Sequence, residues 1–265
     1  MTNYRILTDD QLRSKAPSIF ADRPWEGMSD RYTFIPTSQV VKAMRDNGFE
    51  PTSARQSGTR IAGKGEFTKH QIRFQQHDAN AQLVNLGGLI PEVILTNSHD
   101  GGSAYKLHAG LFRFVCFNGL VVGDTFAKTS VRHSGSVDGI LEATFEVVEE
   151  FPKILESAES FGKLQLTAPQ REVFAEAALQ LRYDDGAPVT PRHILQPKRT
   201  ADRATDLFTT MNVVQEHLTQ GGASARNPQT RRRASVRAVT GIAENTNLNR
   251  AIWTLTERMG QLLAA

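Results

Sequence analysis

The sequence predicts an α+β fold, a strand-rich first half with one early helix followed by a mainly helical second half. Branched and aromatic residues gather between residues 49 and 122 in short runs broken by glycine, asparagine and aspartate. From residue 140 onward the apolar residues recur at helical spacing instead. Strands and helices do not alternate regularly, as a doubly wound parallel sheet would require.

Residues 1–30 form a polar N-terminal arm broken by Pro17 and Pro24, with Ile19, Phe20 and Trp25 as anchors. A mixed β-sheet domain over 31–137 opens with a short strand at Tyr32, Phe34 and Pro36. Thr37-Ser38 then caps a helix carrying Val40, Val41 and Met44, which ends at Gly48. Strands are predicted over 49–60 and 67–76, joined by a turn at Gly63-Lys64-Gly65, and over 92–96 and 111–122, separated by the turn formers of 97–102.

The helical region, 138–265, begins with a stripe of Ile140, Leu141, Phe145, Val148, Phe151 and Leu155, kinked or restarted at Pro152. Thr167-Ala168-Pro169-Gln170 matches a capping box, and Val173, Phe174, Ala177, Ala178 and Leu181 supply the apolar face behind it. Pro188, Pro191 and Pro197 mark a connection. A helix over Leu207, Phe208, Met211, Val214 and Leu218 stops at Gly221-Gly222, and a last one carries Leu248, Ile252, Leu255, Met259 and Leu262. Between them lies a basic loop, 221–241.

Composition excludes several classes. No apolar run is long enough to span a bilayer and the first residues lack a secretory layout, so a cytoplasmic protein with no membrane partner is expected. One cysteine, Cys116, rules out an intrachain disulfide and a cysteine-rich zinc site. The seven histidines form no HxH or HExxH pattern, and no Walker or Rossmann glycine pattern occurs, so neither a metal nor another cofactor is expected.

The net charge is +3, unevenly spread: residues 138–185 hold 11 acidic against 4 basic residues, and residues 186–265 hold 5 acidic against 11 basic. A basic segment after an acidic one either pairs within the fold or waits for a polyanion. The candidate nucleic-acid contacts are Arg55, Arg60, Lys64, Lys69, Arg73, Arg113 and Arg132 on the meander, and Arg226, Arg231, Arg232, Arg233 and Arg237 in the loop. Guanidinium forks suit successive phosphates. The competing reading of the loop is a solvated segment, or one docked on the helix around Glu142, Glu146, Glu149 and Glu150.

The enzymatic alternative is a hydrolase or transferase with Cys116 as thiolate, assisted by His99, His108 or His133 and oriented by Asp100. Its mid-strand setting favours a plain core cysteine, although the Asn118-Gly119 turn lies two residues on. Asn97 and Asp100 equally suit a turn capping its own backbone.

The ordered stretches LTNSHDGGSAYKLHAGLFRFVCFNGLVVGD, VRHSG, DLFTTMNVVQEHLTQGG and LNRAIWTLTERM resemble the phage- and plasmid-borne proteins grouped as domain of unknown function 932. The resemblance implies a mobile-element setting, where accessory proteins handle DNA or block host defences. A second likeness is of pattern only. Strand, helix ending in Asn-Gly and meander over 31–96 are similar to Rad52-type single-strand annealing proteins, which implies single-stranded DNA as partner, a recombination role and a ring-forming homo-oligomer.

Overall fold

The computed structural model describes residues 6–29, 32–76, 89–113, 118–122, 128–131, 136–184, 186–226 and 232–264. It has an α+β architecture in two compact units, Met1–Leu120 with Asp124–Pro152 and Val121–Gly123 with Lys153–Ala265.

In the first unit the arm is folded onto its neighbours. Helix α1 (Asp9–Lys15) starts in a capping box, where Gln11 N donates to Thr8 Oγ1 and Thr8 N donates to Gln11 Oε1, with acidic residues in the first turn and basic ones in the last. A 3-10 turn, Pro17–Phe20, follows. Leu12 and Ile19 are fully buried, and backbone bonds from Leu7 N to Pro51 O and Trp25 N to His99 O tie the arm down.

Residues 32–36 are not the expected strand. Helix α2 (Thr37–Asp46) follows them directly, so Thr37 is its first residue rather than its cap, and Pro36 holds the cap position without a side-chain bond. The cause is tertiary, because the Thr37 hydroxyl is taken up by buried partners described below. The C-terminal end is as expected, with Gly48 at φ 82°.

Strands β1 (Phe49–Gln56), β2 (His70–Gln76), β3 (Leu89–Asn97), β4 (Tyr105–Arg113), β5 (Asn118–Val121) and β6 (Lys128–Val131) form one sheet in the order β1-β2-β3-β4-β5, with β6 also pairing with β4. β1 stops short of residue 60, and β2 starts later than expected, after a 3-10 turn at Lys64–Phe67. There Thr68 Oγ1 donates to Ser57 O at 2.8 Å and closes the connection.

The strand expected over 111–122 is two strands. β4 begins at Tyr105 because it pairs antiparallel along almost all of β3, from Leu89↔Arg113 to Thr96↔Lys106. Asn118-Gly119 is not a turn but the start of β5.

Alternation gives the sheet two unlike faces. Ile72, Phe74, Val93, Leu95, Leu107, Ala109 and Leu111 lie on one, and Arg55, Gln71, Arg73, Gln75, Glu92, Thr96, Lys106 and His108 on the other. Helix α3 (Val137–Glu149), capped by Ser136, buries Ile140, Ala143, Thr144 and Val147, and its Thr144 hydroxyl reaches Met44 Sδ on α2 at 3.5 Å. Helix α4 (Phe151–Lys163) restarts the chain with Pro152 in its first turn, where the missing N–H costs nothing.

In the second unit, α5 (Ala168–Gln180) begins at the expected capping box on Thr167 and Gln170. Its buried face differs from the expected one: Phe174, Ala175, Ala178 and Leu179 are inside, while Val173 and Leu181 are exposed. A short helix, α6 (Pro191–Ile194), lies in the proline-marked connection.

Helix α7 (Leu207–Gln220) is capped by Asp206, which accepts from Thr209 N at 2.7 Å, and is buried nearly all round. Several of its polar residues are paired, although Thr210 Oγ1 and His217 Nδ1 are buried without a hydrogen-bond partner among the described residues. Gln215 Nε2 donates to Asn249 Oδ1 on α8 (Ile242–Ala264), and Glu216 is held by both Arg199 guanidinium nitrogens at 2.8 and 2.7 Å. Trp253, edge-on to Phe161 at 5.7 Å, anchors α8. No helix among the described residues is long and apolar enough to cross a membrane.

Candidate nucleic-acid interface

The candidate cations of the sheet are largely committed to the fold. Arg73 is ion-paired with Glu92, whose carboxylate also accepts from Gln75 Nε2 at 2.9 Å and is almost fully buried. The other end of the guanidinium donates to Gly119 O at 3.0 Å. A Cβ on residue 119 would lie 2.5 Å from Arg73 Cζ, so any side chain there would displace the guanidinium from this position between Glu92 and Gly119 O.

Arg55 donates to Gln71 Oε1 at 2.9 Å, and burial first, then the neighbouring charge of Arg73, pulls its guanidinium down to about 10. Lys64 is paired with Asp100 at 3.1 Å. Lys69 and Arg113 are half-buried and Arg60 is exposed. Arg132 and Arg231 lie outside the described residues, as do Cys116 and His133.

The loop cations are arranged differently. Residues 224–226 and 233–235 form an antiparallel hairpin of β7 (Ser224–Arg226) and β8 (Arg233–Ser235). The register pairs like with like, Ser224↔Ser235, Ala225↔Ala234 and Arg226↔Arg233. Alternation puts both serines and both arginines on one face and the alanines on the other.

On the alanine side the hairpin root continues into Ala223 and Val236, both buried, whereas Arg226, Arg233, Ser235 and the following Arg237 are exposed. No ion pair joins Arg226, Arg233 or Arg237 to a carboxylate among the described residues. Arg232 is also exposed.

The hairpin is rooted on the end of α7. Gly222 N donates to Val236 O, Val236 N to Ala223 O and Val239 N to Thr219 O, at 3.1, 2.8 and 2.8 Å. Gly221, at φ 78°, permits the approach, since a Cβ there would meet Val236 O at 2.7 Å. Lys198 Nζ donates to Gly221 O at 3.2 Å and satisfies a carbonyl at the helix end.

The polar loop after β3 serves a buried network. Thr37 Oγ1 lies 3.0 Å from His70 Nε2, 3.1 Å from His99 Nε2 and 3.0 Å from Tyr105 Oη, and accepts from Asn97 Nδ2 at 3.1 Å. Ser18 Oγ reaches His70 Nδ1 at 2.9 Å, and Tyr105 Oη donates to Ile35 O at 2.9 Å. These six side chains are completely buried. Burial, with the nearby His99, pushes His70 down to about 3, and burial likewise raises Tyr105.

Asp100 accepts from Gly102 N at 3.0 Å, as a turn-capping aspartate does. Burial alone would raise its carboxyl, but Gly102 N–H, the Ser98 hydroxyl and Lys64 hold it below the ordinary value. His108 is buried on the polar face of the sheet.

Sequence alone assigns Thr37 only a capping role and does not single out Ser18, His70 or Tyr105. A signal was present in HQIRF, where alternation puts His70 on the same face as Ile72 and Phe74. The like-on-like hairpin was equally visible as the mirrored triplets SAR and RAS.

Among the described residues no group of His, Cys, Asp and Glu is placed to hold a metal ion. The fold and this surface define an α+β protein with exposed arginines, Arg226, Arg233 and Arg237, on or beside a hairpin of its helical half. The chain belongs to the family described as domain of unknown function (DUF932), whose model matches residues 24–253.

It is similar to two Escherichia coli (strain K12) proteins, the UPF0380 protein YafZ at 40% identity and the UPF0380 protein YfjQ at 39%. Each alignment covers 257 residues, 96% of this chain and 92% of the relative. No solved structure matches. The likeness to Rad52-type proteins gains no support from these relatives, and the strand that opens its pattern is absent from residues 32–36.

Proposed function

We propose that this protein binds nucleic acid, without catalysing a reaction on it, as an accessory of a mobile element. The reading rests on one observation, the cross-strand pair Arg226↔Arg233. Like charges directly opposite each other destabilise a hairpin by mutual repulsion, and a bound polyanion removes that cost. The arginines stay exposed on a rooted hairpin, unlike Arg73 and Lys64, which the fold neutralises. Guanidinium pairs with serine hydroxyls beside them are donors matched to phosphate oxygens.

Fluorescence anisotropy with single- and double-stranded DNA over about 50 to 200 mM salt tests it. Affinity is expected to fall as salt rises and to drop for every sequence alike in Arg226→Ala/Arg233→Ala. Absence of binding at about 50 mM salt, or an affinity indifferent to salt and to these substitutions, overturns it. Single-stranded DNA is the first ligand to try, since an annealing or recombination role requires it.

A further inference from the structure

We infer that Ser224, Arg226, Arg233 and Ser235 form a clamp for a single phosphate group that prefers a phosphate monoester, as at a nucleic-acid end, to the diester along the chain. The inference rests on the nucleic-acid reading above and specifies what this face grips.

The size of the face argues for one group. Directly paired residues on an antiparallel ribbon have Cβ atoms about 5 Å apart, and residues two apart along a strand are about 7 Å apart. A patch of those dimensions seats one tetrahedral anion and does not follow a run of phosphates. All four residues share one face, and the opposite face is alanine at the hairpin and buried at its root. The donors therefore point away from the packed side.

The charge argues for a monoester. Two guanidiniums face a charge near −2 and three free oxygens on a monoester, whereas a diester brings a single charge and two free oxygens. The repulsion between Arg226 and Arg233 is relieved more fully by the dianion. Three backbone bonds and Gly221 fix the root, so the two strands that carry the arginines are already paired in this register before the ligand arrives.

The test uses the full chain and one oligonucleotide sequence in three forms, unphosphorylated, 5′-phosphorylated and 3′-phosphorylated, with inorganic phosphate as competitor. A terminal phosphate is expected to tighten binding roughly tenfold at one end or both, the two arms showing which. Inorganic phosphate should displace the phosphorylated form at lower concentration than chloride does. Both effects should vanish in Arg226→Ala/Arg233→Ala, and Arg226→Lys/Arg233→Lys should keep salt-dependent binding while losing most of the end preference. Equal binding of all three forms with salt dependence intact sinks the clamp and leaves the nucleic-acid reading standing. Absence of salt-dependent binding by every form overturns both.

Discussion

Thr37 Oγ1 and His70 Nε2 lie 3.0 Å apart with both side chains completely buried, and through this pair helix α2 is fastened to strand β2. His99, Asn97 and Tyr105 also lie within hydrogen-bonding distance of the same hydroxyl, which can donate once and accept twice among them. Replacing Thr37 by valine keeps the shape and removes the hub, leaving buried polar groups short of a partner. Chemical denaturation should show a loss of about 3 kcal/mol, well above the cost of an ordinary surface change.

Acid should weaken the fold through His70. The unfolded chain takes up a proton there near pH 6.5, while the folded imidazole stays neutral down to about 3. Between those values the unfolded state binds more protons, so stability falls as pH drops, by up to about 1.4 kcal/mol per pH unit from this group. Urea unfolding at pH 7 and pH 5 should show His70→Gln losing less stability over the interval than the parent chain. An identical loss would exclude His70 as the source.

Gly119→Ala forces a methyl group against the Arg73 guanidinium. Because Glu92 is buried and depends on that guanidinium, the expected cost is about 3 kcal/mol, read from the thermal or urea midpoint. Gly58→Ala is the control, since nothing lies within 4 Å of a Cβ there.

Arg233→Glu separates binding from stability at the hairpin. It turns a like-charge pair into an opposite-charge pair with Arg226, so the melting temperature should hold or rise by about 1 °C. DNA affinity in the same variant should collapse. A variant that binds as before would remove the hairpin from the interface.

Glu216 is buried, which alone would raise its carboxyl, yet bonds from Arg199 and the charge of Lys198 hold it below the ordinary value. Its contribution is complete above the unfolded value near 4.5 and is lost as pH falls through the lower folded value. Glu216→Gln leaves Arg199 without its bidentate partner and should cost about 3 kcal/mol at pH 7, with little further loss on acidification from this site.

Local chemistry made much of the second half legible. The capping box at Thr167 and Gln170, the restart at Pro152 and the stop at Gly221 each depend on a few consecutive residues. The expected apolar face of α5 failed because Val173 and Leu181 match the helical period as well as the residues that are buried. Periodicity gives a face, and only neighbours decide how far round it extends.

The candidate site was legible as composition but not as arrangement. A count of arginines cannot distinguish Arg73, paired with Glu92, from Arg233, which faces another arginine. Register makes that distinction, and it is fixed by pairing across the hairpin.

The sequence by itself determined the α+β class, several helix limits and the charge contrast between neighbouring segments, because propensity, capping and composition are local. Only the tertiary structure decided that Thr37 is a buried hub rather than a cap, that Gly119 makes room for Arg73 within a strand, and that Arg226 and Arg233 face each other on a hairpin at the end of α7. Each of these depends on residues far apart in the chain coming within bonding distance, and spacing along the sequence carries no measure of that.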